Sequence, residues 1–249
     1  MTFLVLGNDR KMQSCKERLC RKGHKCSDEN CDNIILPLPL IINDGKIKGT
    51  DVTFDEIIRG QKPGQKIFYG NLETNPFKYD AVSYYFDEKF LELNSALTAK
   101  GIMKILYEKY DDLGSMSYAV LGYGRCGKAV CSLLKDVTEN VTAVARKEKS
   151  RDEAERNMLR TGDFSTDLSA FDVIINTVPC NILSDEMLNS LSDRNMYVEI
   201  ASPPYGFDIT KKDKYSFGYI LANGLPGRFF PEESGWNIAD TVLKYCNNE

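Results

Sequence analysis

The stretch from Ser117 to Ala145 constrains this chain more than any other. Ser117 to Leu121 is apolar and predicts a strand, and Gly122-Tyr123-Gly124-Arg125-Cys126-Gly127 follows it at once. Ala129, Val130, Leu133 and Leu134 then recur at helical spacing, and a second apolar run, Val141 to Ala145, closes a β-α-β unit of about 30 residues. A glycine triplet between a strand and a helix is the sequence form of a dinucleotide cradle. Gly122 allows the tight turn, Gly124 lets the backbone approach a pyrophosphate, and Gly127 lets the helix pack on the strand. The helix start then offers free N–H groups and a partial positive charge to phosphates. Gly122, Tyr123, Gly124, Arg125, Cys126 and Gly127 are therefore candidate cofactor residues.

The end of the second strand selects the dinucleotide. An Asp or Glu there would accept from ribose hydroxyls, whereas this chain reads Ala145-Arg146-Lys147-Glu148-Lys149. Arg146 and Lys147 would hold a 2′-phosphate by charge-assisted contacts, so NADP(H) is preferred, with Glu148 keeping NAD(H) as the alternative. Two later strand ends should flank the nicotinamide. Phe171 to Asn176 runs into Thr177-Val178-Pro179, and Tyr219 to Ala222 runs into Asn223-Gly224-Leu225-Pro226-Gly227. Asn176, Thr177, Val178, Pro179, Gly224, Leu225 and Pro226 complete the cofactor set.

Around this unit the chain alternates strands and helices, the pattern of parallel sheets with crossover helices. Predicted strands cover Thr2 to Leu6, Asn33 to Leu38, Lys66 to Tyr69 and Ala81 to Tyr84. A helix is predicted over Arg10 to Arg21, and another is capped by Thr53 with Glu56 completing a capping box. Ile41 to Asp51 reads as loop. The fold class is α/β with two domains: a flavodoxin-like one over 1–95, and a doubly wound Rossmann one over 96–230 that includes a linker helix at 98–110. The last helix, 231–249, is expected to pack back on the first domain, with Trp236, Ala239, Val242 and Leu243 as its buried stripe.

Composition closes off other classes. A net charge of -4 gives no footprint for nucleic acid. The longest apolar run, Ile34 to Ile42, holds two prolines and is too short to span a bilayer. No signal peptide opens the chain, so its eight cysteines are expected as reduced thiols in a cytoplasmic protein. Cys15, Cys20, Cys26 and Cys31 cluster around His24, with Cys15/Cys20 and Cys26/Cys31 each at C-x4-C spacing, but they read as helix-face and loop thiols and no metal site is expected. With His24 the only histidine, and a surface residue by its surroundings, histidine acid–base chemistry and a serine hydrolase triad are excluded. Lys100 and Asp9 are the positional candidates for proton transfer.

In order along the chain, Val5-Leu6-Gly7-Asn8-Asp9-Arg10, Ile34-Ile35-Leu36-Pro37, Asn94-Ser95-Ala96-Leu97-Thr98-Ala99-Lys100-Gly101, Ala119 to Gly127, Ile175 to Pro179 and Gly224 to Gly227 resemble the A-subunit family of bacterial dipicolinate synthase. The resemblance implies a two-domain oxidoreductase subunit of spore-forming bacteria, working with a flavoprotein-like second subunit. It would oxidise a dihydrodipicolinate-type precursor to dipicolinate, and a homo-oligomer is expected. It implies that a dicarboxylate substrate meets Asn8, Asn94, Ser95 and Thr98. Leu97 and Lys100 stand where that family usually has proline and glutamate, and the chain is shorter than usual. Those departures keep two alternatives: a shikimate-dehydrogenase-like reductase, and a non-catalytic NADP(H)-binding sensor or scaffold subunit.

Overall fold

In a computed structural model that describes residues 1–247, the chain divides into two compact units. One holds residues 1–94 together with those from Pro226 onward, and the other holds Ser95–Leu225.

The first unit begins with β1 (Thr2–Val5), α1 (Arg10–Arg21), β2 (Lys25–Cys26) and β3 (Asn33–Ile35). Asp9 caps α1 by accepting from the Met12 backbone N–H at 2.8 Å, and Gly23, with φ at +84°, turns the chain after it. The strand expected over Asn33 to Leu38 stops at Ile35, because Pro37 has no N–H to continue the ladder. The expected loop from Ile41 contains a hairpin, β4 (Ile42–Asn43) and β5 (Lys46–Ile47), turned by Asp44 and Gly45, both at positive φ. In α2 (Phe54–Gly60) the capping box is present in both directions: Glu56 N–H donates to Thr53 Oγ1 at 3.1 Å, and Thr53 N–H to Glu56 Oε2 at 2.7 Å. β6 (Lys66–Tyr69) and β7 (Ala81–Ser83) complete a parallel sheet in the order β2-β1-β3-β6-β7, the flavodoxin-like order.

The helix expected to begin at Thr98 begins earlier. In α3 (Glu88–Lys109), buried Asp87 accepts from the Phe90 N–H at 3.1 Å and so starts the helix.

The second unit contains β8 (Tyr118–Leu121), α4 (Arg125–Lys135), β9 (Val141–Val144), α5 (Glu148–Arg156), β10 (Arg160–Gly162), β11 (Val173–Asn176), α6 (Asp185–Ser190), β12 (Met196–Glu199) and β13 (Gly218–Leu221). Every residue of β8, β9 and β11 is buried, as expected of central parallel strands covered on both faces. The order β10-β9-β8-β11-β12-β13 is that of a doubly wound dinucleotide-binding sheet, with its switch point between β8 and β11.

Two helices follow, the short α7 (Leu225–Phe229) and then α8 (Pro231–Asn247). The expected end of the last helix at 249 lies outside the described residues. In the first unit α8 lies along α1, and Ile238, Ala239, Val242 and Leu243 join Met12, Cys15 and Leu19 in one apolar cluster. Gly235 makes the close approach possible, since a Cβ there would fall 2.2 Å from the Lys11 carbonyl oxygen. Trp236, expected in the buried stripe, is half-exposed with the Arg18 guanidinium 5.6 Å over its ring. Ile238, with Asn237 and Thr241, takes its place in the interior.

Among the described residues no helix is long and apolar enough to cross a membrane, and no three His, Cys, Asp or Glu side chains gather as metal ligands. The cysteines are free thiols, and His24 meets Phe3 edge-on at 5.5 Å.

Candidate functional site

The glycine loop sits at the switch point of the second sheet. Gly122 has φ at +94°, and a Cβ on it would fall 2.6 Å from Thr177 Oγ1 and 2.7 Å from Val178 Cγ2. The loops after β8 and β11 therefore abut, and Thr177 joins them by donating its hydroxyl and its N–H to the Leu121 carbonyl at 2.8 and 2.9 Å. Gly127 faces the turn so closely that a Cβ would lie 2.1 Å from the Gly122 oxygen. Gly124 is different. It is the N-cap of α4, makes no side-chain cap bond, and has nothing within 4 Å of where a Cβ would be. The helix start is thus open where a pyrophosphate would lie, and the residues fit a dinucleotide.

The other loop residues divide by environment. Arg125 is exposed at the first position of α4. The Tyr123 ring turns inward, its hydroxyl accepting from Asn157 Nδ2 at 3.0 Å, so it offers a ligand its backbone only. Cys126 Sγ lies 3.5 Å from the Ser95 hydroxyl, which puts Ser95, expected at the substrate, against the cofactor loop.

At the end of β9, Arg146 and Lys147 are exposed, and Lys147 is the N-cap of α5. Arg151, not foreseen from sequence, holds this turn by donating to the Ala145 and Arg146 carbonyls at 2.8 and 2.9 Å. Glu148 is exposed in the first turn of α5, where its charge suits the helix start.

The rim after β11 is built on a buried carboxylate. Glu199, wholly buried at the end of β12, accepts from Asn176 Nδ2 at 2.9 and 3.0 Å, from the Ala201 and Gly206 N–H groups at 2.9 Å each, and from the Tyr197 hydroxyl at 3.2 Å. Burial pushes its carboxyl above the usual carboxylate range, against the pull of these donors. The Asn176 side chain also bonds the Val178 backbone in both directions at 3.0 Å. Asn176 is fully buried and shapes the loop from inside, leaving half-buried Thr177 and Val178 and exposed Pro179 at its surface. Sequence reading missed Glu199. A lone carboxylate in the apolar run Tyr197 to Ile200 was the available signal, but its register opposite Asn176 is visible only in the sheet.

After β13, Gly224 has φ at +66° and α7 starts directly after it, so the expected open loop is a turn running into helix, with Pro226 in the first turn. Leu225 is buried against Gly101 of α3, where a Cβ would meet it at 2.8 Å. Thr98 is buried on the same helix, and Lys100 is exposed on it.

In the first unit, exposed Asn8 follows β1 with its side chain against Gly49, where a Cβ would fall 2.2 Å from Asn8 Oδ1. Asn94 is half-buried on α3. Asp9 is occupied in capping α1. Its neighbour Lys11, also not foreseen, donates its ammonium to the Leu38 carbonyl, and burial lowers its proton affinity.

Residues 88–199 match the D-isomer specific 2-hydroxyacid dehydrogenase, NAD binding domain family, so the chain carries a dehydrogenase-type domain for a nicotinamide dinucleotide. The A subunit of dipicolinate synthase from Bacillus subtilis (strain 168) is 25% identical over 235 residues, covering 87% of this chain and 78% of that protein. The crystal structure of that Bacillus subtilis protein aligns with a TM-score of 0.85 at 21% identity, covering 99% of this chain and 95% of that one. The corresponding dipicolinate synthase protein from Bacillus halodurans aligns with a TM-score of 0.87 at 20% identity, covering 100% of this chain and 98% of that one. The chain is thus similar in sequence over most of its length to one dipicolinate synthase A subunit, and it shares the fold of two of them.

Proposed function

We propose that the chain is an NADP(H)-dependent oxidoreductase subunit working, with a flavoprotein-like second subunit, on a dihydrodipicolinate-type dicarboxylate. The observation that carries the reading is the shape of the rim after β8 and β9. An open helix start at Gly124 suits a pyrophosphate, and next to it lies a strand end bearing Arg146 and Lys147 and stiffened by Arg151. Gly122 to Gly127 would cradle the pyrophosphate, and Arg146 and Lys147 the 2′-phosphate. Thr177, Val178 and Pro179, with Gly224 and Pro226, would border the nicotinamide, and buried Leu225 would support that turn from within. When bound, the oxidised nicotinamide supplies a hydride acceptor, and aromatisation of the ring supplies driving force. The substrate would engage residues of the first unit, Asn8 among them, and Ser95 and Thr98 of α3. A reducing cytoplasmic setting and a homo-oligomer complete the reading.

Two measurements test it. Calorimetric titration should give NADPH tighter binding than NADH, and equal or reversed affinities would remove the NADP(H) assignment. A freshly generated dihydrodipicolinate-type substrate should reduce NADP⁺ when the second subunit is present, and absence of turnover would remove the reaction. One observation favours the non-catalytic alternative: Asp9 is committed to its helix cap and Lys100 is exposed to solvent. On that reading NADPH binds tightly and no partner elicits turnover.

A further inference from the structure

The first unit has a switch point of its own. Its winding reverses between β1 and β3, and open α/β sheets take ligands outside the carboxyl ends of such strands. Lys11 stands at that place. It lies in the first turn of α1, just after β1, and its ammonium bonds the Leu38 carbonyl in the loop after β3. One side chain thus ties together the two loops that flank the switch point.

The amine is incompletely matched. A protonated lysine has three N–H donors, and Leu38 takes one. Among the described residues no carboxylate forms an ion pair with Lys11, and no second acceptor reaches it. Burial lowers its proton affinity, and the charge of Asp9 opposes that only in part. Gly227 borders the amine without a side chain of its own: a Cβ there would come into contact with Nζ at 3.7 Å. A half-buried cation with unused donors calls for an anion from outside the protein, since burying such a charge is costly unless it is paired.

We propose that Lys11 is the carboxylate-binding group of the first unit, holding one carboxylate of an anionic substrate with the two N–H donors that Leu38 leaves open. The identity of the ligand as a ring dicarboxylate rests on the function proposed above, while the role of Lys11 rests on the first unit alone. Asn8, in the loop after β1, adds a polar edge at the same switch point.

The test is a titration of pyridine-2,6-dicarboxylate into the full chain saturated with NADPH, for wild type, K11M and K11R. Methionine keeps the buried stem and removes the charge. K11M should weaken the dicarboxylate about tenfold or more, K11R should retain most of the affinity, and NADPH affinity and thermal midpoint should stay at wild-type values. In lysine-13C-labelled protein, the resonance missing from K11M should shift when the ligand is added. Equal affinity of wild type and K11M for the dicarboxylate overturns the proposal. If wild type ignores pyridine-2,6-dicarboxylate, malonate, succinate and glutarate are titrated against the Lys11 resonance. A shift with any of them keeps Lys11 and removes the ring dicarboxylate, and silence toward all of them removes Lys11.

Discussion

Asn176 and Glu199 stand opposite each other in register on β11 and β12, and the Asn176 amide donates to both carboxylate oxygens at 2.9 and 3.0 Å. The pair ties the loop after one strand to the loop after the next, because the same carboxylate also accepts from the Ala201 and Gly206 backbone. Its charge state is therefore coupled to the shape of the rim. Burial raises the Glu199 carboxyl, so the folded state holds a proton there at pH values where the unfolded chain has lost it. The stability linked to that proton is fully present below the ordinary glutamate value, about 4.3, and is lost as pH rises through the raised one. Denaturant unfolding of wild type and E199Q should show wild type losing stability relative to E199Q across that window. Parallel pH profiles would contradict this. E199A, which orphans several buried donors, should cost about 3 kcal/mol.

Two glycines of the loop, Gly124 and Gly127, should separate by role. G127A brings a methyl to 2.1 Å from the Gly122 oxygen, so it should lower the thermal midpoint and NADPH affinity together. G124A places its methyl in open space on the side proposed for the pyrophosphate, so its melting curve should match wild type while NADPH binds about tenfold or more weakly. A G124A variant that binds NADPH normally would show that the pyrophosphate lies elsewhere.

Arg146 and Arg151 should affect cofactor choice unequally. R146A removes a cation exposed at the strand end proposed to meet the 2′-phosphate, and NADPH affinity should fall about tenfold while NADH affinity stays put. R151M frees the Ala145 and Arg146 carbonyls, so it should weaken both cofactors by loosening the turn. Isothermal titrations of the two nucleotides against each variant measure the ratio directly.

Asp9 should prove structural. Its carboxylate accepts the Met12 N–H at 2.8 Å, a contact asparagine can reproduce. D9N should keep wild-type stability and turnover, and D9A should lose about 1 kcal/mol of stability. A collapse of turnover in a stably folded D9N protein would return Asp9 to the chemistry.

The parts of the molecule legible in sequence are those with strong local grammar. The unit from β8 through Gly127 to β9 has periodicity, glycine spacing and length all pointing one way, and the Thr53–Glu56 capping box needs only four residues to declare itself. Short strands with little apolar content are hidden: Lys25–Cys26 and Arg160–Gly162 pair at sheet edges on backbone hydrogen bonds, with no pattern to announce them. The start of α3 depends on the buried carboxylate of Asp87, and the site roles of Lys11, Arg151 and Glu199 depend on what long-range folding sets beside them. Charge type can be read along a chain, whereas desolvation cannot.

The lid on α1 arrives late. Met12, Cys15 and Leu19 are made long before Ile238, Ala239 and Val242, the residues that cover them. All of Ser95–Leu225 leaves the ribosome in between, and domains fold as units during synthesis. The second unit can therefore finish folding while the first still shows an uncovered apolar helix. A released chain truncated before Pro231 should bind a dinucleotide and at the same time be a client for chaperones, so the arrival of α8 marks the maturation of the first unit.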